Sequence, residues 1–188
     1  MRILSFDVGI KNLSYALLET DVFGPEGSLK TKIVDWGILN LQDDGKKHDF
    51  AEISENLVKV LHDTFSEEYE VVLIENQPAM KNPVMKSIQM LLYSYFLIKT
   101  YQEGSGTKVK FVSASSKLKL SHTCDLTHIV SKNKYRRNKQ TSIAYCRNYL
   151  ELSKDINGRW IDLYDKSKKK DDLCDCYGLA IHFIETKK

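Results

Sequence analysis

Four acidic residues stand where a protein core ordinarily places none. Asp7 closes the apolar run Ile3-Leu4-Ser5-Phe6, and Glu75 closes Val71-Val72-Leu73-Ile74. Asp172 and Asp175 lie three apart among the apolar positions Leu173, Cys176, Tyr177, Ala180, Phe183 and Ile184. A carboxylate at the edge of a core costs free energy unless something pairs with it. On a helix, residues three apart share a face, with Cβ atoms about 5–6 Å apart. Carboxylates gathered at about 4 Å repel by about 4 kcal/mol per pair at an effective dielectric near 20. Such a cluster needs cations, and an all-oxygen donor set favours Mg²⁺ or Mn²⁺. Two such ions about 3.5–4 Å apart clamp a phosphodiester and activate a water. Each acid also has an ordinary explanation: Asp7 as a turn residue, Glu75 as a loop cap, Asp171, Asp172 and Asp175 as residues favoured at a helix start. Together they point to metal-assisted phosphoryl chemistry.

The elements that must position them follow from periodicity. Residues 2–7 and 13–19 read as a hairpin joined by Asp7-Val8-Gly9-Ile10-Lys11-Asn12, with Gly9 as a positive-φ position. Residues 21–30 read as a loop, 31–39 as a third strand and 43–47 as a turn. Ile53, Leu57, Val60 and Leu61 predict a helix over 50–65. Residues 70–75 form a wholly apolar run between acids, suited to a central strand buried on both faces. Its C-terminal end, where open α/β sheets place ligands, carries Glu75. Pro78 and Pro83 bracket a loop before a helix over 84–101. Residues 109–112 are a fifth strand, 115–137 carry few apolar positions and are expected to be exposed, and 138–150 and 170–184 are the last helices. This is an α/β order around one mixed sheet, in a single domain over 1–188.

Composition bounds the function classes. The chain has 188 residues, 42% hydrophobic and 28% charged, with a net charge of +3. No apolar segment resembling a signal peptide follows Met1. The longest apolar stretch, 84–98, is interrupted by Lys86, Ser87, Gln89 and Ser94, so no membrane span is expected. Cys124, Cys146, Cys174 and Cys176 lack zinc-ligand spacing, and Cys174 and Cys176 are expected on different faces of their helix. All four read as reduced thiols of an intracellular protein.

Charge is uneven: residues 108–140 hold nine lysines and arginines against one acid, Asp125. Within it, "SKNKYRRNKQ" sets Tyr135 among Lys132, Lys134, Arg136, Arg137 and Lys139, a pattern for phosphate contact with base stacking. Lys119 extends this candidate nucleic-acid surface. Lys166 and Lys168–Lys170 form a second basic run leading into the acidic pair. Asn76, Gln77 and Asn82 either contact nucleic acid or order their loop. His122 and His128 read as ordinary basic-loop residues. The helix after Pro83 is apolar over more than one face, which suits a dimer interface.

The strand "ILSFDVGIKN", the strand end "LIENQP" and the helix "DDLCDCYGLAI" resemble the Holliday junction resolvases of the RuvC type, within the ribonuclease H-like fold. "IENQPAMKNPVMKSIQMLLYSYF" is most similar to the poxvirus branch, related to the mitochondrial resolvases. The resemblance runs from Met1 to about Ile184. It implies a ribonuclease H-like mixed five-stranded sheet flanked by helices, and acidic metal ligands at Asp7, Glu75, Asp172 and Asp175. Asp171 is the alternative to Asp172. It also implies a lysine after the fifth strand; Lys117 is preferred over Lys119 from the position of the strand end. The implied activity is metal-dependent cutting of four-way DNA junctions by paired symmetric nicks that leave 5′-phosphate ends. Two Mg²⁺ or Mn²⁺ ions per site, a homodimer, a role in resolving viral genome concatemers and a location in the host cytoplasm complete the expectation. A ribonuclease H-fold nuclease acting on RNA–DNA hybrids or flaps is the nearest rival, and a non-catalytic junction-binding module is another. An ATP-binding domain of the sugar-kinase and actin class is disfavoured, because no Gly-Gly pair occurs among the nine glycines.

Overall fold

The computed structural model of the chain describes residues 1–20, 31–42, 49–80, 82–121 and 124–187. The expected loop over 21–30, the turn over 43–47 and His122 lie outside them. Strands β1 (Arg2–Asp7), β2 (Leu13–Thr20) and β3 (Thr31–Leu39) are followed by helix α1 (Phe50–Thr64), β4 (Val71–Asn76), α2 (Pro83–Glu103) and β5 (Lys108–Ser113). A single 3₁₀ turn, Ser116–Leu118, precedes α3 (Lys134–Leu152), α4 (Lys154–Lys166) and α5 (Lys170–Glu185). The strands form one sheet in the order β3-β2-β1-β4-β5. β2 runs antiparallel to both β1 and β3, and β4 is parallel to both β1 and β5.

Two cores sandwich this sheet. Leu4, Phe6, Val72 and Ile74 pack with Ile53, Leu57 and Leu61 of α1 and Ile88, Leu92 and Phe96 of α2. Ile3, Val71 and Leu73 pack on the other side with α3, α4 and α5. β4 is therefore buried on both faces, as its unbroken apolar run predicts, and each such side chain contributes about 1.5–3 kcal/mol. β1, β4 and the helices on either face hold the two strand ends that carry Asp7 and Glu75.

Three local expectations are corrected. Gly9 is not a positive-φ residue. A Cβ there would lie 2.4 Å from the Asn12 carbonyl oxygen, so the turn needs glycine for close approach instead. α3 begins at Lys134, not Asn138, because the Asn133 side chain accepts the Arg136 N–H at 3.2 Å and caps the helix start. The segment 115–137 is not wholly exposed: Leu120 is in the core and Lys117 is largely covered. Cys174 and Cys176 lie on different faces of α5, as expected, and both are buried because α5 is covered on several sides. The thiols of all four cysteines are free.

No element is expected over 151–169, and Asn157-Gly158 there is a turn signal, yet α4 forms. Tertiary bonds override the signal. Asn157 is fully buried; its Oδ1 accepts the Ile33 N–H at 2.8 Å and its Nδ2 donates to the Thr31 carbonyl at 2.8 Å. Trp160 Nε1 donates to the Ile33 carbonyl at 2.9 Å. Two side chains of α4 thus satisfy the free edge of β3 as a neighbouring strand would. Asn157→Ala leaves those buried backbone groups unpaired, at about 3 kcal/mol in total. For a chain of this size that lowers Tm by roughly 6–12 °C. A thermal melt that differs by less than a degree from wild type would refute this role.

Candidate active site

β1 and β4 are parallel neighbours with Phe6 opposite Ile74, so Asp7 and Glu75 leave the sheet side by side. α5 reaches the same edge because the sheet holds its backbone. Ser14 Oγ donates to the Asp172 carbonyl at 2.7 Å, Trp36 Nε1 to the Leu173 carbonyl at 3.0 Å, and Ser5 Oγ to the Cys176 carbonyl at 2.7 Å. These three buried bonds fix the rotation of the turn that bears Asp172 and Asp175. Gly178, one turn further on, lets the 3₁₀ turn approach α5: a Cβ there would lie 3.2 Å from Lys117 Cβ.

Lys117 is the point of convergence. Its Nζ lies 2.5 Å from Asp175 Oδ2, 3.1 Å from Glu75 Oε1 and 4.0 Å from Asp7 Oδ1. Burial alone would push its pKa down, but the charges of Asp7, Asp175 and Glu75 raise it above the ordinary lysine value. The ammonium stays charged. Asp7 is raised well above the usual carboxylate range by burial, and then by the hydrogen bond and charge of Glu75. Burial opposes ionisation of Glu75 too, yet the bond from Asp7, Lys117 and the Gln77 amide hold it below its usual value. Burial and their mutual contact thus move the two carboxyls in opposite directions, Asp7 up and Glu75 down. Burial raises Asp175 despite Lys117.

Neighbouring donors set the directions of these groups. Ser142 Oγ donates to Asp175 Oδ1 at 2.7 Å, and Gln77 Nε2 donates to Glu75 Oε2 at 2.9 Å. Asp171 is drawn off by an ion pair with Lys139 of α3. Burial would raise Asp171, but Lys139 holds it below its usual value. Asp172 is raised by burial and by the charge of Asp171, and its buried Oδ2 has no hydrogen-bond partner among the described residues. Of the two adjacent aspartates, Asp171 is thus the one held in an ion pair and Asp172 the one with a buried, unpartnered oxygen. Lys119 is exposed and outside the cluster, with its carbonyl 3.0 Å from His182 Nδ1.

Among the described residues, no three His, Cys, Asp or Glu side chains are arranged to hold an ion as they stand. The donor set nonetheless fits a divalent cation. Its donors are all oxygen: Asp7, Glu75 and Asp175 already gather around one positive group. Asp172, which makes no ion pair with Lys117, separately has an orphaned buried carboxylate oxygen.

The basic run does not form a loop but the first turns of α3, whose N-terminal end adds its own partial positive charge. Lys132, Lys134, Tyr135, Arg136 and Arg137 are exposed. Lys139, also expected on this surface, is instead half-covered by Asp171 and lies over the Tyr135 ring. Tyr135, Lys139 and Ser142 follow one another at spacings of four and three, so one stripe of α3 leads from the basic end to Asp175. Ser142 was not legible as a site residue from sequence, and Lys139 was expected as a nucleic-acid contact rather than as the partner of Asp171. The part of the stripe that includes Tyr135 needs α3 to start at Lys134.

A family model described as Poxvirus A22 protein matches residues 1–187. An uncharacterized protein of Acanthamoeba polyphaga mimivirus is 34% identical over 153 residues, 74% of this chain and 36% of its own length. The chain thus spans about a third of the curated relative it matches. Fowlpox virus resolvase, solved with its substrate Holliday junction DNA, is similar with a TM-score of 0.61 at 21% identity, covering 100% of this chain and 99% of that one. The yeast mitochondrial Holliday junction resolvase Ydc2 gives 0.64 at 19% identity, covering 97% and 78%. Thermus thermophilus RuvC gives 0.54 at 12% identity, covering 100% and 96%. The mixed five-stranded sheet with its flanking helices is the ribonuclease H-like fold of these neighbours.

Proposed function

Since the chain belongs to the Poxvirus A22 protein family, we propose that it is a Holliday junction resolvase, a single nuclease domain that cuts four-way DNA junctions. The observation that carries this reading is the convergence of Asp7, Glu75 and Asp175, from three separate elements, on Lys117. A binding module has no need of buried carboxylates pressed together at that cost.

Asp7, Glu75, Asp172 and Asp175 would hold Mg²⁺ or Mn²⁺, two ions per site. Such ions, when bound, lower the pKa of an attacking water and neutralise charge on the phosphate. The chain's own residues do the rest. Ser142 and Gln77 hold Asp175 and Glu75 by one oxygen each, leaving the other to face the site. Lys139 keeps Asp171 out of the cluster. Lys117 carries a charged ammonium into the site, where it offsets negative charge building on the phosphate oxygens. Lys132, Lys134, Arg136, Arg137 and Tyr135 take the DNA backbone and bases, and Lys119 extends that surface.

A four-way junction presents two equivalent strands, so a C₂ homodimer supplies two sites. The outer face of α2 supports it: Met90, Ile98 and Tyr101 are exposed there, Ile98 by 56%. Resolution of viral genome concatemers in the host cytoplasm is the biological role that fits a poxvirus family. No helix among the described residues is long and apolar enough to cross a membrane.

The test is cleavage of a labelled four-way junction beside linear duplex and an RNA–DNA hybrid, in Mg²⁺, Mn²⁺ or chelator. Paired symmetric nicks in the junction, absent with chelator, are expected. Unpaired single nicks count against the dimer. Cutting of the hybrid alone moves the function to a ribonuclease H, and binding without cutting of any substrate leaves a junction-binding module.

A further inference from the structure

The helix that follows Glu75 contains an anomaly in its core face. Gln89 is fully buried in α2, between the core residues Ile88 and Leu92. Its Nε2 has no hydrogen-bond partner among the described residues. A buried donor without a partner costs free energy, so what the other half of this amide holds is the question the residue raises.

That other half is the Oε1 atom. It accepts the Gln77 backbone N–H at 2.7 Å and the Lys86 ammonium at 3.2 Å. Both neighbours are donors, so only an acceptor fits, and the orientation of the amide follows. Gln77 is the residue whose side chain holds Glu75 Oε2 at 2.9 Å. Lys86 also reaches Asn76 Oδ1 at 3.0 Å, so the same amide oxygen ties both residues that follow Glu75.

Resting on the nuclease reading above, we propose that Gln89 is a positioning residue. It anchors the chain at Gln77 so that the Gln77 amide can hold one oxygen of Glu75 and leave the other for the site. Outer-shell partners of this kind are typically worth 10–100-fold in metal affinity or activity. Asn76 and Gln77 then act in ordering, at least in part, and the fold tolerates a buried orphan donor for the sake of the acceptor beside it.

The experiment compares Gln89→Met, which keeps shape but removes the acceptor, with Gln89→Glu, which keeps the acceptor beside Lys86. Three readouts are taken on the full chain: Tm, hydrogen exchange at the Gln77 amide, and Mn²⁺ affinity by titration calorimetry. In Gln89→Met the Tm is expected to hold or rise, the Gln77 amide to exchange about tenfold faster, and Mn²⁺ to bind about tenfold more weakly. Gln89→Glu is expected to restore both the amide protection and the Mn²⁺ affinity. Wild-type Mn²⁺ affinity in Gln89→Met overturns the proposal, as does unchanged exchange at Gln77. A fall in Tm with no selective change in metal affinity also overturns it, since that is the mark of a merely structural residue. Failure of the nuclease reading is distinguishable: the wild-type chain itself then binds no Mn²⁺, and both proposals fall together.

Discussion

Asp7→Asn is expected to abolish junction cutting, by on the order of 10³-fold, while the folded chain still binds junctions. The magnitude follows from the cluster. Metal-assisted phosphoryl chemistry supplies several kcal/mol of charge stabilisation, and each 1.4 kcal/mol or so is tenfold in rate. Asparagine keeps the shape of aspartate but removes a carboxylate oxygen from the donor set. Binding is spared because the basic start of α3 is separate from the strand end that carries Asp7. The fold is spared too, and here the sign is specific. Burial and Glu75 raise the Asp7 pKa, so the folded chain holds that proton more tightly than the unfolded chain does. The stability this group contributes is present below the ordinary carboxylate range and is lost as pH rises through the raised value. Asparagine has no proton to lose, so the variant melts at or above the wild-type temperature at neutral pH without metal. Single-turnover cleavage, junction affinity and a thermal melt measured together check all three. Cutting at the wild-type rate would remove Asp7 from the site.

Replacing Lys132, Arg136 and Arg137 together by alanine is expected to weaken junction binding and to flatten its salt dependence. Each phosphate neutralised contributes about 0.9 to the slope of log affinity against log salt, so three contacts contribute about 2.7. Between 50 and 200 mM salt the affinity ratio of wild type to variant should therefore shrink by about 40-fold. All three side chains are exposed at the start of α3, and the N-cap is made by Asn133, so their removal leaves the helix intact. Lys139 is left out of this set because it is paired with Asp171. An unchanged slope would show that the DNA runs elsewhere, with the second basic run at 166–170 the next surface to test.

The comparison between what the residues predict and what the fold does turns on range. β3 and the hairpin strands begin and end within a residue of their expected bounds, because alternation and flanking turn residues are local properties. β4 is legible for the same reason, and its apolar run also signals burial on both faces. α4 is not legible, because Asn157 earns its helical place by bonding to β3, more than a hundred residues away in the chain. The early start of α3 hinges on one cap, Asn133, which a basic run obscures.

The same division holds at the site. The sequence by itself determined the candidate residues: carboxylates ending two strands and spaced three apart on a helix stand out because like charges at a core edge are costly unless something pairs with them. Tertiary structure separates the members of each ambiguous pair. Lys117 reaches three of the carboxylates while Lys119 is exposed away from them, and Gly178 lets the turn that carries Lys117 lie against α5. Asp172 keeps a buried oxygen with no partner among the described residues, whereas Asp171 is ion-paired with Lys139 of α3. Adjacent residues share composition and local pattern, so their difference arises only from the partners that a folded chain brings to one side and not the other.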